Sequence, residues 1–249
     1  MDTTIVAPSI FYAGTPKRGS ERIRCDWICP HIPAVKWKGE ALNYETVIFQ
    51  KVPPAPKDGR TQILDMADPI WRTEPLESMT GMLGRVDAVT VPTEALRADF
   101  SQYYDTPAYV VRDGHDFTSY PTGTGGSRYV WFGYADNFPD LCRQVDEFDL
   151  TVVSDRPTGH GIFRQWDNDA FDIICKSQIA ILPRHEWKSN NKAVSAWAMG
   201  LAVARDERDL ERFKDLGERF TDIESSGFAG YSAEVSGREM RAVITEVTK

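Results

Sequence analysis

The chain has 249 residues, 41% hydrophobic and 27% charged, with a formal net charge of -8 at pH 7. Such a chain is an ordinary soluble globular protein, with interior enough for one large domain or two small ones. The acidic balance gives no general pull towards nucleic acid or an anionic membrane, and no apolar run approaches the ~20 residues of a membrane span.

Four cysteines are too sparse for a disulfide scaffold. Cys25 and Cys29, with His31 nearby, lack a second pair of ligands at metal spacing. They are expected to be small buried groups on one helix face, and Cys142 and Cys175 to be structural. Met1–Ala7 shows no basic region ahead of a long apolar one, so no signal peptide is expected and a cytoplasmic location is.

Taken along the chain, short β-branched apolar runs alternate with amphipathic ones. The first half predicts strands at Thr3–Ala7, Thr46–Gln50, Gln62–Met66, Ala88–Pro92 and Ala108–Arg112. Its helical patterns are Ser20–Ile28 and Thr93–Tyr104, the latter capped by Thr93. Pro53, Pro54 and Pro56 mark a loop leaving the second strand. Between Arg112 and Ser127 lies a run of turn formers, Asp113–Asp116 followed by Pro121–Ser127.

The second half predicts strands at Arg128–Gly133, Leu150–Ser154, Ile179–Leu182 and Leu201–Ala204. Helical patterns fall at Asn137–Phe148, Ala170–Ser177, Asn191–Met199, Glu207–Lys214 and Gly237–Val247. Ser236 is the expected cap of the last, and Gly200 the expected stop after Met199. Strand–helix alternation with nearly continuous apolar strands predicts a doubly wound α/β fold with parallel sheets. Two Rossmann-like halves facing a central cleft are expected, residues 1–115 and 116–249, with the last helix crossing back to the first.

Lys188–Lys192 (KSNNK) opens the helical pattern after the strand Ile179–Leu182. A helix start carries unpaired N–H groups and a partial positive charge, so anions settle there. Lys192 in the first turn opposes the dipole, a placement that an anionic ligand would compensate. Lys188, Ser189, Asn190, Asn191 and Lys192 therefore form the expected diphosphate-binding set. Gly133, where a strand meets a helix, lets backbone approach a ligand closely, and Asn137 follows it in the same turn.

These segments resemble the group-one glycosyltransferases of the GT-B fold. Ile181-Leu-Pro183 and Lys192–Val203 (KAVSAWAMGLAV) look like the family's strand, polar loop, helix and A-x-G-x-P-V run. Gly19–Arg24 (GSERIR) is similar to the S-x-R-x-R segment of the family's first helix. Tyr44–Lys51 and Ile63–Asp68 resemble its later strands, and Ala88–Leu96 its D-x-V-x-x-x-T/S-x-x-L step. Asp113–Asp116 (DGHD) stands where N-G-V-D is common. The chain departs in two places. Asn190, Asn191 and Lys192 occupy the loop where many members carry a glutamate for the sugar or ribose. The Arg and Lys that often follow the glycine of Gly133 are absent, which leaves the diphosphate to Lys188, Lys192 and Arg18.

The resemblance implies a metal-independent, retaining transfer of sugar from a nucleoside-diphosphate sugar such as a UDP-sugar to an acceptor hydroxyl. The nucleotide sugar is then a co-substrate, no resident cofactor is expected, and no D-x-D metal motif is placed. Arg164, Gln165 and Trp166 lie where it puts nucleobase contacts, although an aromatic at a strand end is more often core. Asp65 and Asp68 end a predicted strand, on the edge that lines the cleft in open α/β sheets, and either could orient or deprotonate the acceptor. His115 is a further polar candidate. Arg22 and Arg24 form with Arg18 a basic lip on the acceptor side, unless that face is simply solvated. The acceptors left open are a glycan, a small metabolite, a protein side chain and, as in small phage transferases acting in a host cytoplasm, a hydroxymethylated DNA base. A catalytically inactive nucleotide-sugar-binding protein and a GT-B-type epimerase are the alternatives.

Overall fold

A computed structural model describes residues 3–6, 22–32, 34–36, 44–50, 52–115, 125–167, 169–183, 191–214 and 232–249. Described strands are β1 (Thr3–Val6), β2 (Ala34–Lys36), β3 (Thr46–Gln50), β4 (Thr61–Asp65), β5 (Ala88–Val91), β6 (Ala108–Val110), β7 (Tyr129–Gly133), β8 (Leu150–Ser154), β9 (Ile162–Gln165), β10 (Ile179–Ile181) and β11 (Ala202–Ala204). Described α-helices are α1 (Leu76–Leu83), α2 (Glu94–Phe100), α3 (Ala170–Ile174), α4 (Asn191–Ala198), α5 (Glu207–Lys214) and α6 (Ala233–Val247). Contacts divide the chain into two units. The first is Met1–Asp116 with Glu186–Asn191 and Gly230–Lys249; the second is Phe117–His185 with Lys192–Ala229.

The first unit is built on a parallel sheet in the order β2-β1-β3-β4-β5-β6. Strand residues alternate between two faces. Val47, Phe49, Leu64, Val89 and Val91 meet Met79 and Leu83 of α1 and Leu96 and Phe100 of α2. Ile48 and Ile63 meet Cys25, Ile28 and Ile32 and, from α6, Met240, Val243 and Ile244. Coverage on both faces is why these strands read as nearly continuous apolar runs. The C-terminal helix thus belongs to the core of the first unit.

The second unit carries a parallel sheet in the order β11-β10-β7-β8-β9. From its other edge the strands run third, second, first, fourth, fifth in chain order, the Rossmann arrangement. The order reverses between β7 and β10, and the crevice at the carboxyl ends of those two strands is where such sheets hold ligands. In the first sheet the corresponding reversal lies between β1 and β3.

Two predicted helices are broken into tighter or wider turns. In place of Ser20–Ile28 there is a single π-type turn, Arg22–Asp26, followed by a 3-10 turn, Cys29–His31. Pro30 cannot donate a helical N–H, which prevents continuation. In place of Asn137–Phe148 stand 3-10 turns at Ala135–Asn137, Asp140–Gln144 and Glu147–Asp149. Pro139 forces the preceding Phe138 to an extended conformation, φ -65° and ψ 119°, and ends the first of them.

The last helix starts earlier than its pattern suggested. Ser232, not Ser236, is the cap, its hydroxyl accepting from the Val235 amide at 3.3 Å. Gly237 reads as a helix boundary but lies inside α6 for a packing reason: a Cβ there would stand 2.5 Å from His31 Cβ. Gly200 does end α4, at φ 75°. Thr93 caps α2 by accepting from the Leu96 amide at 3.2 Å. β2, β9 and α1 had no clear sequence signal.

Candidate functional site

At the reversal point of the second sheet, β7 ends in Trp131-Phe132-Gly133 and α4 begins with Asn191-Lys192. The apolar positions Ala193, Ala196 and Trp197 turn α4 onto the core of the sheet, which sets Lys192 above the end of β7. Its ammonium lies 5.2 Å from the ring centroid of Trp131, a favourable cation–π distance. Trp131 is buried and meets Phe138 edge-on, centroids 5.2 Å apart. The ammonium fills the space that the missing side chain of Gly133 leaves, since a Cβ at that position would collide with Lys192 Nζ. The two residues singled out separately in the sequence are therefore neighbours. Together they hold a positive charge against the backbone at the strand end, where doubly wound sheets place their ligands.

The turn after Gly133 is more acidic than expected. Asp155, at the end of β8, accepts the Ala135 amide at 2.8 Å, so that amide is already engaged. Arg156 bridges Asp155 and Asp136 beside it. Asn137 is exposed and its amide donates to the Tyr134 carbonyl at 2.9 Å. Cys142, buried below, has its thiol pKa pushed up by burial despite the nearby charges of Arg143 and Lys192. Lys188, Ser189 and Asn190 lie outside the described residues.

The segment suggested for the nucleobase is a strand rather than a loop. Arg164 and Gln165 are exposed on β9, and the Gln165 amide reaches the Asp155 carbonyl at 3.3 Å. Trp166 packs against the core, 5.8 Å from Phe171 and 6.3 Å from Phe132 between centroids.

In the first unit the structure places Arg24 far from a solvated lip. It is 1% exposed, and its guanidinium bonds both oxygens of Asp65, one at 3.0 Å from Nε. It also bonds Asp113 at 3.1 Å and the Val111 carbonyl. Burial alone would lower its pKa, but Asp65 and then Asp113 outweigh that through charge and hydrogen bonds and hold it above the ordinary value. Asp65 takes a further bond from the Thr90 hydroxyl at 2.5 Å. The physical reason is register. Gln50, Asp65 and Thr90 pair across β3, β4 and β5, so their side chains share a face at the carboxyl edge, where Arg24 meets them.

Asp68 follows β4, half-buried, and its carbonyl accepts from the Ile70 amide at 2.8 Å. The His115 carbonyl receives the Ala233 amide at 2.8 Å, which ties it to the start of α6. Arg22 opens the π-type turn, and Arg18 lies outside the described residues. Sequence reasoning missed Asp113 as a partner of Arg24, Trp131 as the seat of Lys192, and Asp155. A strand-end Ser154-Asp155-Arg156 was the available signal for the last. Among the described residues no group of three or more His, Cys, Asp or Glu is arranged to hold a metal, and no helix is long and apolar enough to cross a membrane.

No family model matches this chain, and no curated protein matches it. Among solved structures, TarM aligns over 81% of this chain and 51% of its own, at 9% identity and a TM-score of 0.49. A variant of S. aureus TarM in complex with fondaparinux, alpha-GlcNAc-glycerol and UDP aligns over 82% and 52%, at 10% identity and 0.48. The Glycosylation Associate Protein (Gap123) complex from Streptococcus agalactiae aligns over 82% and 51%, at 12% identity and 0.40. The chain spans about half the length of these solved structures.

Proposed function

We propose that this protein is a nucleotide-sugar-dependent glycosyltransferase whose second unit holds the donor. The observation that carries the reading is Lys192 seated against Gly133, at the strand reversal of a Rossmann-ordered sheet. The diphosphate would sit against the start of α4, its charge met by Lys192, Lys188 and helix amides in place of a metal. The sugar would pass to an acceptor hydroxyl with retention at the anomeric carbon, as the motif resemblance implies. Burial of Arg24 removes one of the three arginines available to grip a phosphate-rich polymer, which favours a glycan, small-molecule or protein acceptor over DNA.

The test is a thermal-shift panel of nucleoside diphosphates and their sugar conjugates. A ligand bound only by the native state raises its apparent stability. At least one diphosphate is expected to raise the transition in the unaltered chain and to lose that effect in Lys192→Ala. A panel with no shift at all ends the reading.

One observation favours a second reading. Asp65, the more deeply buried of the two candidate acids, is occupied by Arg24 and Thr90, which suits a protein that binds nucleotide sugar without turning it over. Purified protein incubated with its donor separates the cases. Released diphosphate with a new glycoside supports transfer, and intact donor at saturation supports binding alone. An isomerised nucleotide sugar would mark an epimerase.

A further inference from the structure

A pocket of about 380 Å³ opens within the first unit, at the carboxyl ends of β5 and β6 beside α6. Its size falls within the roughly 300–1,000 Å³ of small-molecule sites. Pro92 and Val110 supply apolar wall, and Thr93, Glu94, Arg112, Asp113 and Glu239 the polar groups. The lining holds three carboxylates and one guanidinium; with Arg97, which pairs with Glu94 at 2.7 Å, and the Arg24–Asp65 pair behind Asp113, four carboxylates stand against three guanidiniums and leave the region net acidic.

Two of its carboxylates are fixed before any ligand arrives. Arg112 grips Glu239 through Nε at 2.6 Å and Nη2 at 2.5 Å, and the Arg112 amide reaches the second oxygen at 2.8 Å. Asp113 is 3% exposed and is held from behind by Arg24, which Asp65 and Thr90 lock in turn. Preorganised polar groups lose little freedom on binding, so more of the contact energy appears as affinity. An acidic lining repels phosphate. Each carboxylate oxygen has more than one lone pair, so a carboxylate already held by a guanidinium still accepts hydrogen bonds from hydroxyls. A vicinal diol can donate to two of these carboxylates at once, and its C–H face suits Pro92 and Val110.

We propose that this pocket binds a phosphate-free polyol, a carbohydrate ring or a compound of the same hydroxyl chemistry. Its role as the acceptor rests on the glycosyl-transfer reading, but its binding does not require the donor.

The experiment is a titration of the full chain, without nucleotide, followed by saturation-transfer NMR and calorimetry. The probes are neutral hexoses, inositol and glycerol, hexose 6-phosphate, and putrescine as a diamine. At least one neutral polyol is expected to bind, with the phosphorylated hexose at least tenfold weaker than its parent. Glu94→Gln, at an exposed position, and Glu239→Gln are each expected to weaken it severalfold, and Asp113→Asn more than tenfold. Thermal melts check that each variant folds, and should Asp113→Asn not fold, the two glutamate variants decide. No neutral polyol bound, tighter binding of the phosphate, binding of the diamine alone, or affinity unmoved in the glutamate variants would each overturn the proposal. Diphosphate binding through Lys192 is scored separately. Polyol bound without diphosphate removes the transferase reading and keeps the pocket; the reverse removes only the pocket.

Discussion

At the carboxyl edge of the first sheet, a guanidinium is sealed inside the protein and answered by two carboxylates. At the same edge of the second, a half-buried ammonium rests on an indole against a glycine. Both charges stand above parallel strands, yet the surroundings assign them different work. Desolvating an ion is costly unless partners replace its water, so Arg24 exists only as part of its network. Lys192 keeps partial access to solvent, and an anion arriving there need not first dismantle the core. A charged residue near a strand end is thus a ligand candidate when its neighbours leave room, and a fold determinant when they do not.

The sharpest way to break this contrast is to remove each charge. Arg24→Met leaves Asp65 and Asp113 buried without their cation and is expected to destabilise by about 3–5 kcal/mol in denaturant unfolding. Lys192→Met keeps an aliphatic side chain over Trp131 and gives up the cation–π contact, so it is expected to cost about 1 kcal/mol. Equal losses would erase the distinction.

Asp99 tests whether a pair with one buried partner falls between these extremes. It is 3% exposed, accepts from Trp71 Nε1 at 2.8 Å and from Arg72 Nε at 2.9 Å, and lies within the first unit. Arg72 holds its carboxyl below the ordinary value against the opposing effect of burial, with Trp71 assisting. A depressed carboxyl pKa contributes stability that is fully present above the unfolded value of about 3.9 and is lost as pH falls through the folded one. Asp99→Asn should therefore cost about 1–3 kcal/mol at neutral pH, with the difference from the parent shrinking below about pH 4 in urea titrations. A constant difference across that range would detach the effect from ionisation.

Function sharpens the comparison from the other side. Lys192→Ala should weaken nucleoside-diphosphate binding by about 10–100-fold, since a hydrogen bond to a charged group contributes about 1.5–3 kcal/mol. Lys192→Arg should recover part of that loss in calorimetry. The smallest effect is expected from Arg156→Ala. Its ion pairs with Asp136 and Asp155 are largely exposed, so stability should change by less than about 1 kcal/mol. Diphosphate affinity should fall slightly as the two carboxylates lose their counter-charge. Unchanged affinity would mean that the acidic turn takes no part in anion binding.

Much of the strand pattern was legible in the chain. Thr46–Gln50 and Leu150–Ser154 match residue for residue, because β-branched runs buried on both faces have no competing period. β2 is three residues long, too short for any periodic signal. β9 carries Arg164 and Gln165 on a sheet edge, where burial does not select apolar residues. One helix failed where Pro139 cut a good amphipathic pattern, and another, ahead of Pro30, closed into a π-type turn at Arg22–Asp26. For the site, Gly133 and Lys192 could be named singly from strand ends and helix starts, but their contact joins positions 59 residues apart (192 - 133). Arg24 misled for the same reason, since its partners lie 41 and 89 residues away.

Alternating apolar runs and turn-rich breaks by themselves determined that this is an α/β protein with parallel sheets, because hydrophobic period and turn chemistry are local properties. Which charges are sealed and which stand at an edge was decided only when strands came into register and helices covered them. Gln50, Asp65 and Thr90 form one row through pairing across three strands, and α6 returns to the first unit from the far end of the chain. Desolvation depends on all the atoms around a group, and those are brought together by the fold rather than by neighbours in sequence.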